Sequence, residues 1–170
     1  MNRLQLATLL SWAGDSGLQG RKRLQKVVFL LQQAGCPLDC RFVLHHFGPY
    51  SRDVAAACDE IVAAGLVDET GGPATGEMQY SYTLKPATRT LLEQTPDSQM
   101  ELFEGLGRQL ISTEIWPLEL GSTILFFYGQ TGDWDEALAH ACKFKKVPAE
   151  ITASQNALAL VKQVQRERVN

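Results

Sequence analysis

A chain of 170 residues with 45% hydrophobic and 21% charged residues can bury a core of ordinary size and is not compositionally disordered. No apolar run approaches the roughly 18–20 residues that cross a bilayer, and a net charge of −3 argues against a chain that coats nucleic acid. The charge is unevenly placed: residues 1–52 carry seven Lys/Arg against two Asp/Glu, 53–136 three against fifteen, and 137–170 six against two. An anionic partner is therefore expected at the ends of the sequence and not at its centre.

The start, Met1-Asn2-Arg3-Leu4-Gln5, lacks the basic, apolar and small-residue succession of a signal peptide and reads as the beginning of a helix. That sets the expectation of a cytoplasmic protein, with Cys36, Cys40, Cys58 and Cys142 as free thiols. Leu6, Leu9, Leu10 and Ala13 recur at helical spacing and predict a first helix over about 2–13. Gly14-Asp15-Ser16-Gly17 ends it. A second helix is predicted over 21–34, with Leu24, Val27, Val28 and Leu31 buried. Arg21, Lys22, Arg23 and Lys26 crowd its first turns, where cations oppose the helix dipole at a cost of up to about 1 kcal/mol each. A partner would explain that cluster.

Gly35 and Pro37 stop the second helix. Residues 41–47 (RFVLHHF) alternate as a strand with apolar residues on both faces, which predicts a sandwiched strand. Gly48-Pro49 then turns the chain, and Ser51 is a good N-cap for a helix that buries Val54, Ala57, Cys58 and Ile61. Leu66 to Glu69 reads as a short strand, followed by the glycine-rich stretch 70–76. Met78, Tyr80, Tyr82 and Leu84 alternate with polar residues as a longer strand. Pro86 opens the next helix, since its missing N–H would be unpaired in the first turn anyway. This order is that of a winged helix.

Thr95-Pro96-Asp97 marks a junction, and the remainder reads as helix. Met100, Phe103, Leu106 and Leu110 make one stripe, and Leu118, Gly121, Ile124, Leu125 and Tyr128 another. Asp133 is placed as the cap of a helix reaching about Phe144. Ser154 is placed as the cap of a last helix carrying Leu158, Val161 and Val164. The expected fold is α+β and mainly helical: a winged-helix-like part with a small β wing over 1–95, and a C-terminal helical bundle over 97–170 packed on it.

The segment Arg21-Lys22-Arg23-Leu24-Gln25-Lys26-Val27-Val28-Phe29-Leu30, followed by Phe47-Gly48-Pro49-Tyr50-Ser51, resembles the YwgA-type bacterial family. Leu118 to Tyr128 is similar as well, so the resemblance spans most of the chain. A leucine-glutamine-lysine helix and a glycine-proline turn are more distantly similar to the SocA/Panacea antitoxin domains. The resemblance implies a winged-helix-like fold and, on the Panacea side, neutralisation of a toxin by contact. One departure weakens base reading. A standard reader joins two short helices by a tight turn, whereas here a strand and GPYS precede a single helix.

The candidate sites follow from these placements. For nucleic acid the candidates are Arg21, Lys22, Arg23, Lys26, Arg41 and Arg52, because the presumed reading helix also carries Asp53, Asp59 and Glu60, which would repel phosphate. For a protein partner they are His45, Tyr50, Trp116 and Trp134, with Phe126 and Phe127 exceeding what one helical stripe needs. Cys36, Cys40, His45 and His46 are the residue types of a zinc site at a poor spacing, so no metal is expected, and no cofactor. Ser51 is not in a nucleophile elbow. His45 and His46, as neighbours on a strand, would face opposite ways and not act on one atom. Gly71-Gly72 to Gly76 lacks the lysine and helix of a phosphate loop. The function expected is a non-enzymatic protein-interaction module, antitoxin-like or adaptor, with a DNA-binding regulator using the basic N-terminal helix as the alternative. Another protein is the expected partner, nucleic acid the second, a further copy of the chain an allowed one, and no membrane is involved.

Overall fold

A computed structural model describes residues 1–71 and 79–168. Nine α-helices and five short strands are found among them: α1 Arg3–Ser11, β1 Leu18–Gln19, α2 Arg21–Gln33, β2 Val43–His45, β3 Gly48–Tyr50, α3 Arg52–Ala63, β4 Val67–Gly71, β5 Tyr80–Leu84, α4 Pro86–Gln94, α5 Ser98–Glu101, α6 Glu104–Ser112, α7 Ile115–Thr131, α8 Trp134–Lys145 and α9 Thr152–Arg166. The chain is α+β and dominated by helices. Most of the glycine-rich stretch, together with Met78, lies outside the described residues.

Local chemistry sets several of the helix ends. Asn2 and Gln5 form a reciprocal capping box at α1, which satisfies two backbone donors at once. The Ser51 hydroxyl accepts from the backbone of Asp53 and Val54 at the start of α3, and the Asp133 carboxylate accepts from Asp135 and Glu136 at α8, both as expected. Ser154 is not a cap. Helix α9 begins two residues earlier, after Ile151, and the buried Ser154 hydroxyl donates instead to the Pro148 carbonyl at 2.8 Å.

Strands β1, β5 and β4 form an antiparallel sheet in that order. Leu18 lies opposite Tyr82, and Val67 opposite Leu84; all four are buried. The two-residue strand β1 has no periodicity, which is why the sequence does not announce it. The predicted strand over 41–47 is shorter and differently placed. Only Val43–His45 is extended, and it pairs with Gly48–Tyr50 in a separate hairpin around His46 and Phe47. Gly48, at φ +93°, takes the left-handed conformation that closes the turn. This hairpin is not sandwiched: Val43 and Phe47 are 60% and 48% exposed.

Helix α2 is the axis of the molecule. Every residue from Leu24 to Leu31 is buried, including Gln25 and Lys26, so α2 has no solvated face at its centre. It packs against α6, α7 and α9 from the C-terminal half and against β1 and β3 from the N-terminal half. Helix α7 lies across it, packed also against α8, α9 and β3. Phe126 and Phe127 on α7 are half-buried against the core, Phe126 near Phe29 and Phe127 near Phe144 and His140. Buried residues from both sides of the expected junction near residue 95 belong to one cluster.

Candidate functional site

The two segments that carry the sequence resemblance are bonded to each other. The Gln25 side-chain amide donates to the Ser51 carbonyl at 2.9 Å and accepts from the Ser51 N–H at 2.8 Å. One helical residue on, the Lys26 ammonium donates to the Pro49 carbonyl at 2.6 Å. Glutamine has the donor and the acceptor that the N–H and C=O of one residue require, and lysine reaches a carbonyl two residues back along the chain, in β3. Gly48 is wedged between α2 and α7: a Cβ there would lie 2.5 Å from Thr123 Oγ1 and 3.6 Å from Lys26 Nζ. The β2–β3 hairpin is thus fixed by its second strand, while its tip stands in solvent.

Lys26 is 2% exposed. Burial holds its amine down at about 8, Lys145 and Lys22 push the same way, and Glu119 opposes them. Lys145 and Glu119 form their own ion pair at 3.3 Å, with side chains 7% and 13% exposed. Two amines and one carboxylate therefore meet where α2, α7, α8 and β3 come together.

Arg21 and Arg23, in the first turn of α2, also have partners within the chain. Arg21 donates to Tyr82 Oη at 2.7 Å and to Glu69 Oε1 at 2.8 Å, and lies 3.3 Å from Asp59 Oδ1. Tyr82 donates in turn to Glu69 at 2.5 Å. Burial opposes charge on Arg21, but Glu69 and Tyr82 more than restore it, and its pKa is raised. For Glu69 burial likewise works against the charged form, yet the bonds from Tyr82 and Arg21 hold its pKa below the usual carboxylate value. Burial and the bond to Glu69 push the Tyr82 phenol up. Arg23 donates to the carbonyls of Ile111, at 2.9 Å, and Thr113 at the end of α6, where a cation offsets the helix dipole. Three of the four cations expected to need an external partner, Arg21, Arg23 and Lys26, are used to tie α2 to its neighbours.

Of the six basic candidates, Lys26 is thus buried, and Arg21 and Arg23 are half-buried and bonded. Lys22, Arg41 and Arg52 are exposed. The exposed face of α3 also presents Asp53, Asp59 and Glu60.

Beside the hairpin lies a cleft of about 250 Å³, lined by Arg21, Lys22, Gln25, Lys26, His45, Phe47, Gly48, Tyr50, Val54, Ala55 and Cys58. His45 and Tyr50 come together here, with ring centroids 5.6 Å apart. Lys22 Nζ sits 3.5 Å from the centre of the Phe47 ring, a cation–π contact. Trp116 and Trp134 do not line the cleft. Trp116 is half-buried in the first turn of α7, and Trp134 is stacked on Tyr128 at 3.7 Å with Lys162 over its ring. Phe47 and Gln25 were not among the sequence candidates. Phe47 was hidden in an apparent strand, although His46-Phe47 followed by glycine is a hairpin-tip pattern.

His45 and His46 do not face apart. Their rings are 4.8 Å from each other, because His46 lies in the turn, where strand alternation no longer applies. The four cysteines are buried. Burial pushes the Cys36 and Cys58 thiols up to about 12, far from thiolate chemistry. No group of three or more His, Cys, Asp or Glu side chains able to hold a metal ion occurs among the described residues. None of the described helices is long and apolar enough to cross a membrane.

Fold and site define a mainly helical α+β protein in which a buried glutamine–lysine pair holds an exposed hairpin beside an apolar cleft. The chain is 32% identical over 124 residues to the uncharacterised protein YwgA of Bacillus subtilis (strain 168), an alignment covering 72% of this chain and 74% of that one. It belongs to the YwgA family. No protein-family model matches the chain.

Proposed function

We propose that this protein is a non-enzymatic protein-interaction module, and that its contact face is the exposed side of the β2–β3 hairpin with the adjoining cleft. The observation that carries the reading is the exposure of Val43 and Phe47 on a hairpin whose base is bonded into the core at Pro49 and Ser51. Apolar side chains held out on a rigid support are what an interface anchor requires, since little freedom remains to be lost on binding. We read the N-terminal half as winged-helix-like. The order α1, β1, α2, α3, β4, β5 with sheet order β1-β5-β4 supports that reading, the β2–β3 hairpin being an insertion between α2 and α3. The glutamine–lysine helix bonded to the glycine-proline segment favours kinship with the SocA/Panacea domains, and through it an antitoxin-like or adaptor role. A cytoplasmic location fits such a role.

The test is co-purification from the native host at physiological salt, comparing the unmodified chain with Phe47→Ala. A partner recovered in stoichiometric amount with the first and lost with the second is expected. Absence of any stoichiometric partner, or equal recovery with both, overturns the reading. The alternative is a DNA-binding regulator, favoured by the exposure of Lys22, Arg41 and Arg52. It predicts salt-sensitive retention on DNA that falls in the Arg41→Ala/Arg52→Ala variant. The acidic outer face of α3 argues against it.

A further inference from the structure

The cleft beside the hairpin has one sign of charge. Arg21, Lys22 and Lys26 line it, and none of its lining residues is Asp or Glu. Two of these cations are occupied: Lys26 by the Pro49 carbonyl, and Arg21 by Glu69, Tyr82 and Asp59. Lys22 is exposed and has no carboxylate partner among the described residues. Its ammonium rests on the face of Phe47 at the mouth of an otherwise apolar space walled by Phe47, Tyr50, Val54 and Cys58. That space, about 250 Å³, falls below the roughly 300–1,000 Å³ of a site enclosing a whole small molecule. It is the size of a socket for an inserted side chain.

Resting on the interaction reading above, we infer that the cleft takes a short acidic peptide segment of the partner: one aromatic or branched aliphatic side chain enters it, and a flanking carboxylate pairs with Lys22. Charge complementarity sets the sign of the occupant, and the apolar walls set the anchor. A carboxylate is a single local charge and meets Lys22 alone. A nucleic-acid strand carries a phosphate at every step and would run onto Asp53, Asp59 and Glu60 on the exposed face of α3.

A random dodecapeptide library displayed on phage, selected against the full chain, tests this. The enriched sequences are then synthesised with a fluorescein label and titrated by anisotropy against the unmodified chain, Phe47→Ala, Lys22→Glu and Lys22→Arg, each with an unchanged circular dichroism spectrum. The expected result is enrichment of an aromatic or aliphatic residue flanked by Asp or Glu. Affinity should fall about tenfold or more with Phe47→Ala and with Lys22→Glu, and be kept by Lys22→Arg. Enriched peptides without acidic residues, or binding lost with Phe47→Ala yet untouched by Lys22→Glu, overturn the acidic segment and leave the interaction reading standing. No enrichment over the starting library also overturns it, the interaction reading being decided separately by co-purification. Displacement of a bound peptide by a labelled single-stranded oligonucleotide at comparable concentration would assign the cleft to nucleic acid instead.

Discussion

The Lys26 ammonium donates to the Pro49 carbonyl across 2.6 Å in the interior, while the preceding residue of α2, Gln25, exchanges two hydrogen bonds with Ser51. Four residues from two separate sequence segments thus form one lock. It gives the glutamine-lysine and glycine-proline-tyrosine-serine patterns a structural reason to occur together. The hairpin they hold carries two exposed apolar side chains close together, Val43 and Phe47.

Replacing Gln25 by Met removes both bonds to Ser51 and leaves its buried N–H unpaired, while its C=O keeps the bond from the Ala55 N–H. The expected loss is about 1–3 kcal/mol of unfolding free energy, read from urea denaturation as a lower midpoint at unchanged slope. A loss below about 0.5 kcal/mol would show that water or relaxation satisfies Ser51.

Gly48→Ala combines a left-handed backbone, φ +93°, with a methyl group 2.5 Å from Thr123 Oγ1. A destabilisation on the order of 2–4 kcal/mol is expected. In the Thr123→Ala background part of it should return and part remain, because the clash is relieved but the backbone strain is not. Full additivity of the two substitutions would contradict the close approach of the hairpin to α7.

Lys26 provides a test in pH. Its folded pKa, about 8, lies below the ordinary lysine value of 10.5. Below pH 8 both states hold the proton, and the cost of a buried ammonium is fully present. Between about 8 and 10.5 the folded chain has released a proton that the unfolded chain keeps, so stability rises with pH, by up to about 3 kcal/mol. Cys36, Cys58 and Tyr82 are raised and pull the opposite way over the same range. The informative quantity is therefore the difference between the unmodified chain and Lys26→Met. That difference should shift in favour of the unmodified chain as pH goes from 7.5 to 10, and a flat difference would contradict a depressed Lys26.

The thiols offer a kinetic check. With all four cysteines buried and their pKa values raised, modification by an aromatic disulfide reagent at pH 8 should proceed only as fast as the chain opens. Addition of urea above the unfolding midpoint should release every thiol at once. Rapid reaction of any one cysteine in the native state would contradict its burial.

The fold was legible where one physical signal dominated. Ser51 and Asp133 announce their helices because a short oxygen-bearing side chain before an apolar period has few other uses. The stripe Val54, Ala57, Cys58, Ile61 is buried as its spacing implies. The hairpin was misread because Phe42, Leu44 and His46 alternate with Val43, His45 and Phe47, and alternation cannot tell one strand from a strand and a turn. The basic start of α2 was misread for a different reason. Sequence shows that Arg21, Arg23 and Lys26 are charged, but their partners, Glu69, the end of α6 and Pro49, lie far away along the chain. Only folding brings them within reach, and so only the fold separates Lys22, exposed at the cleft, from its three neighbours.

The central claim, that the hairpin and cleft are the contact face, is tested most directly by hydrogen–deuterium exchange of the chain alone and with its co-purified partner. The account predicts slowed exchange confined to residues 43–50 and the first turns of α2, with the outer face of α3 unchanged. Protection centred on α3 and the β4–β5 strands, with residues 43–50 unaffected, would contradict it.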